Sequence, residues 1–247
     1  MIYHPLIWCM INSSDVVMSD TKVVLMSPSS LWWLVYLVSA TEQVTCTVYG
    51  DPHYYTFDGI RIDYQGVCRY VASKTCNDGV PAPYSVVIQQ ETRNYGRYKH
   101  FGDRVTFIMY VDVYVDEVNV RLLKGGSFEI DGATAFAPYS STTQNGTTIT
   151  ISNSNDGIQV ATSYGLTVWY EGDWHATITV PRHGYGGKLC GICGDANTDP
   201  TNDLVTLDGE NLWERGDLSD AEKHALIGNS WQLAADDQLG LGWVSSS

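Results

Sequence analysis

Short runs of alternating apolar residues, broken by turns that contain glycine, fill most of this chain of 247 residues. A spacing of two places side chains on one face of a β-strand, whereas a helix requires a spacing of three or four. No stretch between Cys46 and Pro181 has the helical period. The pattern therefore predicts an all-β chain folded as an antiparallel sandwich or barrel. Three rows carry it: Val105, Phe107, Met109 and Val111; Ile149 and Ile151; and Ala176, Ile178 and Val180.

One helix is predicted near the end of the chain. Ser219 and Glu222 have the spacing of a capping box, in which each side chain hydrogen-bonds the backbone of the other residue. Lys223 to Ile227 continue the segment, and Gly228 is the predicted C-cap.

The charge of the chain limits its partners. It has 28 Asp and Glu against 14 Lys and Arg, a formal net charge of −14. Such a balance repels phosphate backbones and anionic lipid headgroups, so the sequence predicts no nucleic-acid partner, while cations are plausible ligands. The 16 Tyr, 8 Trp and 23 Gly are typical of strands and turns in an extracellular β module.

The N-terminal residues 1–40 are predicted to be an extension and a signal peptide. The apolar stretch from Leu31 to Val38 is too short to span a bilayer but has the length of a signal-peptide core. Val38 and Ala40 occupy the small-residue positions of a cleavage site, so we predict cleavage after Ala40 and secretion without a membrane span. A buried strand and an uncleaved anchor are the alternatives. Asn145-Gly146-Thr147 is a glycosylation sequon on a predicted turn.

Familiar enzyme motifs are absent from the sequence. It has no G-x-S-x-G, H-E-x-x-H, phosphate-binding loop or dinucleotide fingerprint, so we predict no turnover enzyme. Cys190-Gly-Ile-Cys193 has the spacing of a redox pair or of half a zinc site. No βαβ pattern surrounds it, and no second C-x-x-C or pair of histidines completes a tetrahedral site.

Three separated stretches of the chain carry distinctive motifs. They are Cys46-Thr-Val-Tyr-Gly-Asp-Pro-His-Tyr-Tyr-Thr-Phe-Asp-Gly59, then Gly66-Val-Cys68-Arg-Tyr70 with Cys76, and Leu189-Cys190-Gly-Ile-Cys193-Gly-Asp-Ala-Asn197 with Asn202-Asp203-Leu204 and Asn229-Ser230-Trp231. Together they resemble the von Willebrand factor type D (VWD) domain, found in gel-forming mucins, vitellogenins, tectorins and zonadhesin-like proteins. The resemblance runs from about residue 44 to 232, so we expect a VWD domain over 41–232 and a tail over 233–247. It implies a β-sandwich of the VWD type with a calcium-binding loop and a short C-terminal helix.

An acidic loop is the predicted Ca²⁺ site. Oxygen-bearing side chains suit Ca²⁺ better than Zn²⁺ or Mg²⁺, and clustered carboxylates repel each other unless a cation neutralises them. An EF-hand is excluded, because Pro200 replaces its invariant glycine and Thr206 its bidentate glutamate. The resemblance adds Asp58 of the T-F-D-G motif as a ligand. A solvated acidic turn is the alternative. The loop residues are Asp195, Asn197, Asp199, Asn202 and Asp203.

The resemblance also implies a cysteine pairing, Cys46 with Cys193 and Cys76 with Cys190. Cys68 is then unpaired, because no cysteine follows Trp231, where its family partner would lie. Three alternatives remain for Cys68, in this order: a buried free thiol, a bridge to Cys9 if the N-terminus is retained, and an intermolecular disulfide that links a dimer.

The motif Gly50-Asp51-Pro52-His53 matches the sequence at which some VWD domains cleave themselves. The Asp51 carboxylate can attack its own carbonyl carbon, and His53 can protonate the leaving Pro52 nitrogen. Autocleavage candidates are therefore Asp51, Pro52 and His53. The alternative is a tight turn with a buried histidine.

These features predict a secreted, calcium-binding module with a structural or protein-interaction role in extracellular assembly, whose partners are extracellular proteins or matrix. A calcium-dependent carbohydrate-binding protein is an alternative, in which Trp169, Tyr170 and Trp174 stack on sugars. A further, less favoured alternative is a secreted oxidative enzyme such as a luciferase-like protein. It is kept because some secreted luciferases contain a module that this chain resembles.

Overall fold

The computed structural model describes residues 42–92 and 105–234, together with three short strands closer to the N-terminus. The chain divides into two compact units, Met1–Thr41 and Glu42–Ser247. In the first unit, β1 (Met18–Ser19), β2 (Lys22–Val24) and β3 (Leu34–Val35) form an antiparallel sheet in that order. The predicted cleavage after Ala40 and most of the predicted tail lie outside the described residues. Among the residues described, no helix is both long enough and apolar enough to cross a membrane.

The second unit is mostly β-structure. Its helical segments are α1 (Arg182–Tyr185) and α2 (Asp220–Ser230), with 3₁₀ turns at Lys124–Gly126 and Pro200–Asn202. Its strands are β4 (Gln43–Tyr49), β5 (His53–Tyr55), β6 (Arg61–Asp63), β7 (Arg69–Thr75), β8 (Tyr84–Thr92), β9 (Thr106–Val115), β10 (Val118–Leu123), β11 (Phe128–Ile130), β12 (Ala133–Ala135), β13 (Tyr139–Thr142), β14 (Thr148–Ser154), β15 (Gly157–Thr162), β16 (Thr167–Tyr170), β17 (His175–Pro181) and β18 (Leu189–Cys190).

Two antiparallel sheets enclose one core. In the described part of the second unit, one sheet has the order β12-β11-β10-β9-β8-β7-β18 and the other β13-β14-β15-β16-β17-β4-β5-β6. Val48 and Ile178 of the second sheet belong to the same buried cluster as Val86 and Val113 of the first. The predicted rows at Ile149 to Ile151 and at Ala176 to Val180 are buried. The prediction of an antiparallel, sandwich-like β fold with short helices is confirmed.

The predicted row in β9 is wrong as a single face. Ile108 is buried and Met109 is 41% exposed, whereas Val111 and Val113 are buried. The pairing of β8 with β9 shifts between Gln89 and Gln90, so Met109 is an extra residue in the ladder. Such a β-bulge reverses the alternation of inward and outward side chains. Even-numbered residues therefore point inward before the bulge and odd-numbered residues after it.

Helix α2 begins as predicted but ends later. The Ser219 side chain accepts from the Glu222 backbone amide, and the Glu222 carboxylate accepts from the Ser219 amide at 2.8 Å. Gly228 is not the C-cap, because the helix continues through it to Ser230. A Cβ atom at Gly228 would lie 2.2 Å from the ring of Tyr64. The glycine is therefore required by close packing of the helix on this ring.

Replacing Gly228 with alanine reverses the usual effect of this change. In an exposed helix, Gly→Ala stabilises by about 1 kcal/mol. Here we expect Gly228→Ala to lower the free energy of unfolding by about 1–3 kcal/mol, because the methyl group overlaps the Tyr64 ring. Urea unfolding measures the change. The control is Gly216→Ala, at which a Cβ meets nothing within 4 Å. A Gly228→Ala protein as stable as the parent would contradict the packing argument.

Candidate metal centre

The C-x-x-C segment, Cys190 to Cys193, is hydrogen-bonded to a β-bulge in β7. The pairing of β7 with β8 shifts after Val71, leaving Ala72 as an extra residue. The Val71 and Ala72 carbonyls accept from the amides of Ile192 and Cys193, at 3.2 and 2.8 Å. A Cβ at Gly191 would lie 2.5 Å from the Ala72 oxygen. Only glycine lets this segment lie directly on the β7 backbone.

Two disulfides hold the same segment. Cys46 of β4 is bonded to Cys193, with 147 residues of sequence separation and 5.7 Å between Cα atoms. Cys76, after β7, is bonded to Cys190, with a separation of 114 residues and 5.9 Å between Cα atoms. The structure thus contains both bridges that the resemblance implies. In the chain-entropy model, each disulfide that closes a loop of more than 100 residues stabilises the folded state by about 5 kcal/mol. Among the described residues Cys68 is a free, half-buried thiol, and Cys9 lies outside them.

Three carboxylates meet where this segment continues. Asp58 lies in the turn between β5 and β6, and the Cys193 carbonyl accepts from the neighbouring Phe57 amide at 3.0 Å. Asp195 and Asp203 lie in the loop after β18. Carboxylate oxygens of all three aspartates lie within 4.8 Å of one another. The side chains of Asp58 and Asp203 are both about 1% exposed, so their charges repel in a medium that screens them weakly.

Asp58 is held by one arginine and two backbone amides. The Arg182 guanidinium donates to Asp58 Oδ1 at 3.0 Å. The amides of Asn197 and Thr198 donate to its two oxygens, each at 2.9 Å. The loop reaches this geometry through left-handed backbone at Ala196 (φ 64°) and Thr198 (φ 81°), which is unusual for residues other than glycine. Strain of this kind occurs where a loop is shaped to present a site.

Asp195 and Asp203 are less well compensated. The pKa of Asp203 is raised to about 7. Burial is the largest cause and the charge of Asp58 adds to it, whereas a hydrogen bond from the Thr56 hydroxyl acts in the opposite direction. Burial also raises the pKa of Asp195, and the Asp58 charge adds to that rise. A cation among these oxygens would reverse both effects, because it favours the ionised carboxylates.

Asn202 supplies an independent sign of a ligand site. Its Nδ2 donates to Asp195 Oδ2 at 3.3 Å, but its buried Oδ1 has no hydrogen-bond partner. Buried carbonyl oxygens are ordinarily satisfied, and an orphaned one beside carboxylates has the chemistry of a cation ligand. The available donors are all oxygens, which suit a hard divalent cation.

Asn197 and Asp199 shape the loop. Asn197 Oδ1 accepts from the Asp199 amide at 2.6 Å, while its Nδ2 donates to Asp195 at 2.9 Å. The exposed Asp199 carboxylate caps the Pro200–Asn202 turn through the Thr201 hydroxyl and amide, which lowers the pKa of Asp199. Of the six predicted ligands, the structure therefore brings together Asp58, Asp195 and Asp203, and Asn197 and Asn202 both donate to Asp195. The side-chain oxygen of Asn197 is already hydrogen-bonded, whereas that of Asn202 is not.

A cavity of about 410 Å³ opens beside these acids. Asp195, Asn202 and Asp203 line it, and so do the apolar side chains of Leu189, Val205 and Trp231. The site therefore faces a space with both charged and apolar walls.

Residues 46–210 match the model of the von Willebrand factor type D domain. The chain belongs to this family. Over 192 residues it is 32% identical to zonadhesin of Sus scrofa, which covers 78% of this chain and 7% of zonadhesin. It is 31% identical to alpha-tectorin of Homo sapiens over 201 residues, 80% of this chain and 8% of the relative. It is 30% identical to IgGFc-binding protein of Homo sapiens over 203 residues, 80% of this chain and 3% of that protein. The chain thus spans less than a tenth of each of these relatives.

The VWD domain carries its Gly-Asp-Pro-His motif in the turn between β4 and β5. Pro52 is buried, whereas the Asp51 side chain is 47% exposed. His53 Nε2 lies 3.1 Å from Asp51 Oδ1. The histidine is therefore in direct contact with the side-chain carboxylate of Asp51, the residue on the N-terminal side of the Asp51–Pro52 bond.

The predicted sugar-stacking residues do not form one exposed surface of the VWD domain. Tyr170 is 1% exposed and its hydroxyl donates to the Ile108 carbonyl at 3.0 Å, so its assignment as a stacking residue is wrong. Trp169 is half-buried and donates to the Ser154 carbonyl, whereas Trp174 is 49% exposed. The alternation of β16 turns Tyr170 into the core.

Asn145 lies exposed in the turn between β13 and β14 of the VWD domain. Its Nδ2, the atom that a glycan would modify, donates to Asp116 Oδ1 at 3.2 Å. The described geometry thus places the predicted sequon at the surface.

The metal-free VWD domain should be sensitive to the charge of Asp203. Because its folded-state pKa of about 7 exceeds the ordinary 3.8, ionisation of Asp203 destabilises the fold as the pH rises through about 7. In EDTA, between about pH 5.5 and 8, we expect the parent to lose about 2 kcal/mol of stability relative to Asp203→Asn. Urea unfolding at both pH values measures this difference. The control is Asp199→Asn, which makes the same charge change at an exposed cap; its stability should change with pH as that of the parent does. If the stabilities of the parent and of Asp203→Asn changed equally with pH, the raised pKa of Asp203 would be refuted.

Proposed function

We propose that this VWD domain is a secreted, calcium-binding module with a structural or protein-interaction role in extracellular assembly. The observation that carries the proposal is the meeting of three aspartates with the orphaned Asn202 oxygen. Two disulfides across long sequence separations support an oxidising, extracellular compartment. The net charge of −14 favours a cation as the ligand.

Asp58, Asp195, Asp203 and Asn202 would hold Ca²⁺ through carboxylate and carbonyl oxygens. The ion supplies two positive charges and a flexible coordination sphere of oxygens. Asp58 and the other three residues come from different parts of the chain, the β5–β6 turn and the loop after β18. Their joint binding of one ion would fix these two segments to each other, which is a structural role and requires no turnover.

The cavity beside the acids supports a protein-interaction role. Its mixed walls suit a partner side chain that has an apolar part and a polar end. The name of IgGFc-binding protein assigns a protein ligand to that relative. For this chain we propose extracellular proteins or matrix as the class of partner.

Calcium should raise the thermal midpoint of the purified protein. A ligand at about 100 times its Kd stabilises the folded state by about 2.7 kcal/mol, which shifts Tm by several degrees. We expect this shift in the parent and its loss on addition of EGTA. Asp203→Asn should remove most of the shift, because it deletes one of the three clustered charges.

The matched control is Asp199→Asn in the same loop. It removes the same charge, keeps a side chain that can cap the turn, and lies outside the cluster of three carboxylates. This variant should keep the calcium shift. An unchanged parent midpoint with calcium, or equal loss of the shift in both variants, would argue against the proposed ligands.

A second proposed activity is self-cleavage at Asp51–Pro52, favoured by the contact between His53 Nε2 and Asp51 Oδ1 at 3.1 Å. An Asp51 carboxylate oxygen attacks the main-chain carbonyl carbon of the same residue, forming a cyclic anhydride. The C–N bond to Pro52 breaks, and its nitrogen takes a proton from His53. Water then hydrolyses the anhydride and leaves Asp51 as a C-terminal residue with two carboxyl groups.

Self-cleavage should release two separate fragments only after reduction. Mass spectrometry of reduced protein, incubated at mildly acidic pH, should show one fragment that ends at Asp51 and one that begins at Pro52. Without reduction the mass rises only by one water, because Cys46–Cys193 joins the fragments. His53→Gln should slow cleavage about 100-fold, a typical contribution of general acid catalysis. Absence of fragments from the parent would rule out the activity.

A further inference from the structure

A second carboxylate holds the other edge of the His53 ring. His53 Nδ1 lies 2.6 Å from Asp63 Oδ1, while Nε2 faces Asp51 at 3.1 Å. The antiparallel register of β5 and β6 places His53 directly opposite Asp63. The contact is therefore fixed by sheet pairing between two strands, and it links the Asp51–Pro52 turn to a residue ten positions further along the chain.

Asp63 is itself held on several sides. Arg61 Nε donates to Asp63 Oδ1 at 2.7 Å, and an Arg61 Nη atom lies 3.2 Å from His53 Nδ1. The Asp63 amide donates to Nδ1 of His224 in α2 at 3.2 Å. Partial burial raises the pKa of Asp63, but hydrogen bonds from Arg61 and His53 outweigh it, so the pKa is lowered. Asp63 therefore remains ionised at neutral pH.

The face of the His53 ring and the Asp51 carboxylate are also positioned. The Tyr49 ring meets His53 edge to face, with 5.7 Å between centroids, and Tyr55 stacks on Tyr49. Gln65 donates to Asp51 Oδ2 at 3.4 Å. These contacts leave little freedom for the histidine ring to turn.

Two carboxylates on one imidazole determine where its protons lie. An ionised carboxylate only accepts hydrogen bonds, so Nε2 contacts Asp51 as a donor. Nδ1 likewise donates to Asp63, whose oxygen at 2.6 Å is nearer than the competing Arg61 Nη donor at 3.2 Å. With both nitrogens protonated, His53 is an imidazolium whose Nε2 proton faces Asp51. When that proton leaves, Nδ1–H remains bonded to Asp63, and Nε2 keeps a free electron pair. The arrangement selects this tautomer.

We infer that Asp63 is a positioning residue for cleavage at Asp51–Pro52, an inference that rests on the self-cleavage proposed above. Asp63 fixes His53 so that one atom, Nε2, serves both steps. Nε2 first gives its proton to the Pro52 nitrogen as the C–N bond breaks and the anhydride forms. It then takes a proton from the water that attacks the anhydride, which opens to two carboxyl groups. His53 is thereby restored, and one water is consumed.

Asp63→Asn in the full chain tests this role. The amide keeps the shape of the side chain but removes the carboxylate that accepts from His53 Nδ1. We expect cleavage at pH 6 to slow at least 10-fold, because the ring is then no longer held with Nε2 toward Asp51. The readout is the fragment yield in reduced mass spectra over time. The control, Asp78→Asn, makes the same charge change at an exposed turn after β7 and should leave the rate unchanged.

Asp63→Glu provides the conservative rescue and replaces the first variant if Asp63→Asn does not fold. It keeps the carboxylate with one more methylene, so its rate should lie within a few-fold of that of the parent. A parent that yields no fragment overturns both self-cleavage and this inference. A parent that cleaves while Asp63→Asn keeps its rate, or while Asp63→Glu slows as much as Asp63→Asn, overturns the positioning role alone. If Asp63→Asn does not fold, a folded Asp63→Glu that cleaves at least 10-fold more slowly than the parent overturns it.

Discussion

The attachment of Cys193 to three separate elements is the constraint on which the functional end of this domain depends. Its sulfur is bonded to β4, its amide donates to the bulge of β7, and its carbonyl accepts from Phe57. These bonds bring one strand of each sheet and the β5–β6 turn to a single residue. Asp195 follows two residues later, so the acidic loop begins from a fixed point, opposite the turn that carries Asp58.

The carboxylates are close because the backbone forces them together, and the surroundings offset only part of the repulsion. Asp58 accepts hydrogen bonds from the Arg182 guanidinium and from two backbone amides. Asp203 accepts one from the neutral hydroxyl of Thr56. A fold that needed no ion could have filled this space with apolar side chains at lower electrostatic cost. Retention of three acids and an unsatisfied amide oxygen is physically reasonable if a cation completes the group.

Local patterns in the sequence predicted what local forces determine. The alternating rows gave the strands, Ser219 and Glu222 gave the start of α2, and the motifs led to the family. The prediction of one buried row in β9 was wrong, because the bulge there depends on the pairing with the neighbouring strand. The prediction of a C-cap at Gly228 was wrong, because that glycine is required by the packing of the Tyr64 ring, distant in sequence. Asp199 was grouped with the acids by proximity in sequence, although its side chain bonds its own turn. Thr56 lay within a recognised motif, whereas nothing in the sequence marked Arg182 or Asp63, which act through pairings between segments.

The bridge from β4 to the acidic loop also determines how the molecule would carry tension. A force applied along the chain from the N-terminal side meets Cys46 first and passes through the sulfur atoms to Cys193. The 147-residue interval between them, which includes the Asp51–Pro52 bond, is bypassed. Fully extended, an interval of that length would measure about 500 Å. The two bridges set two limits to this extension. Reduction of Cys46–Cys193 alone releases only about 33 residues, because Cys76–Cys190 still closes 114 of the 147. Reduction of both bridges is needed to make the whole interval extensible.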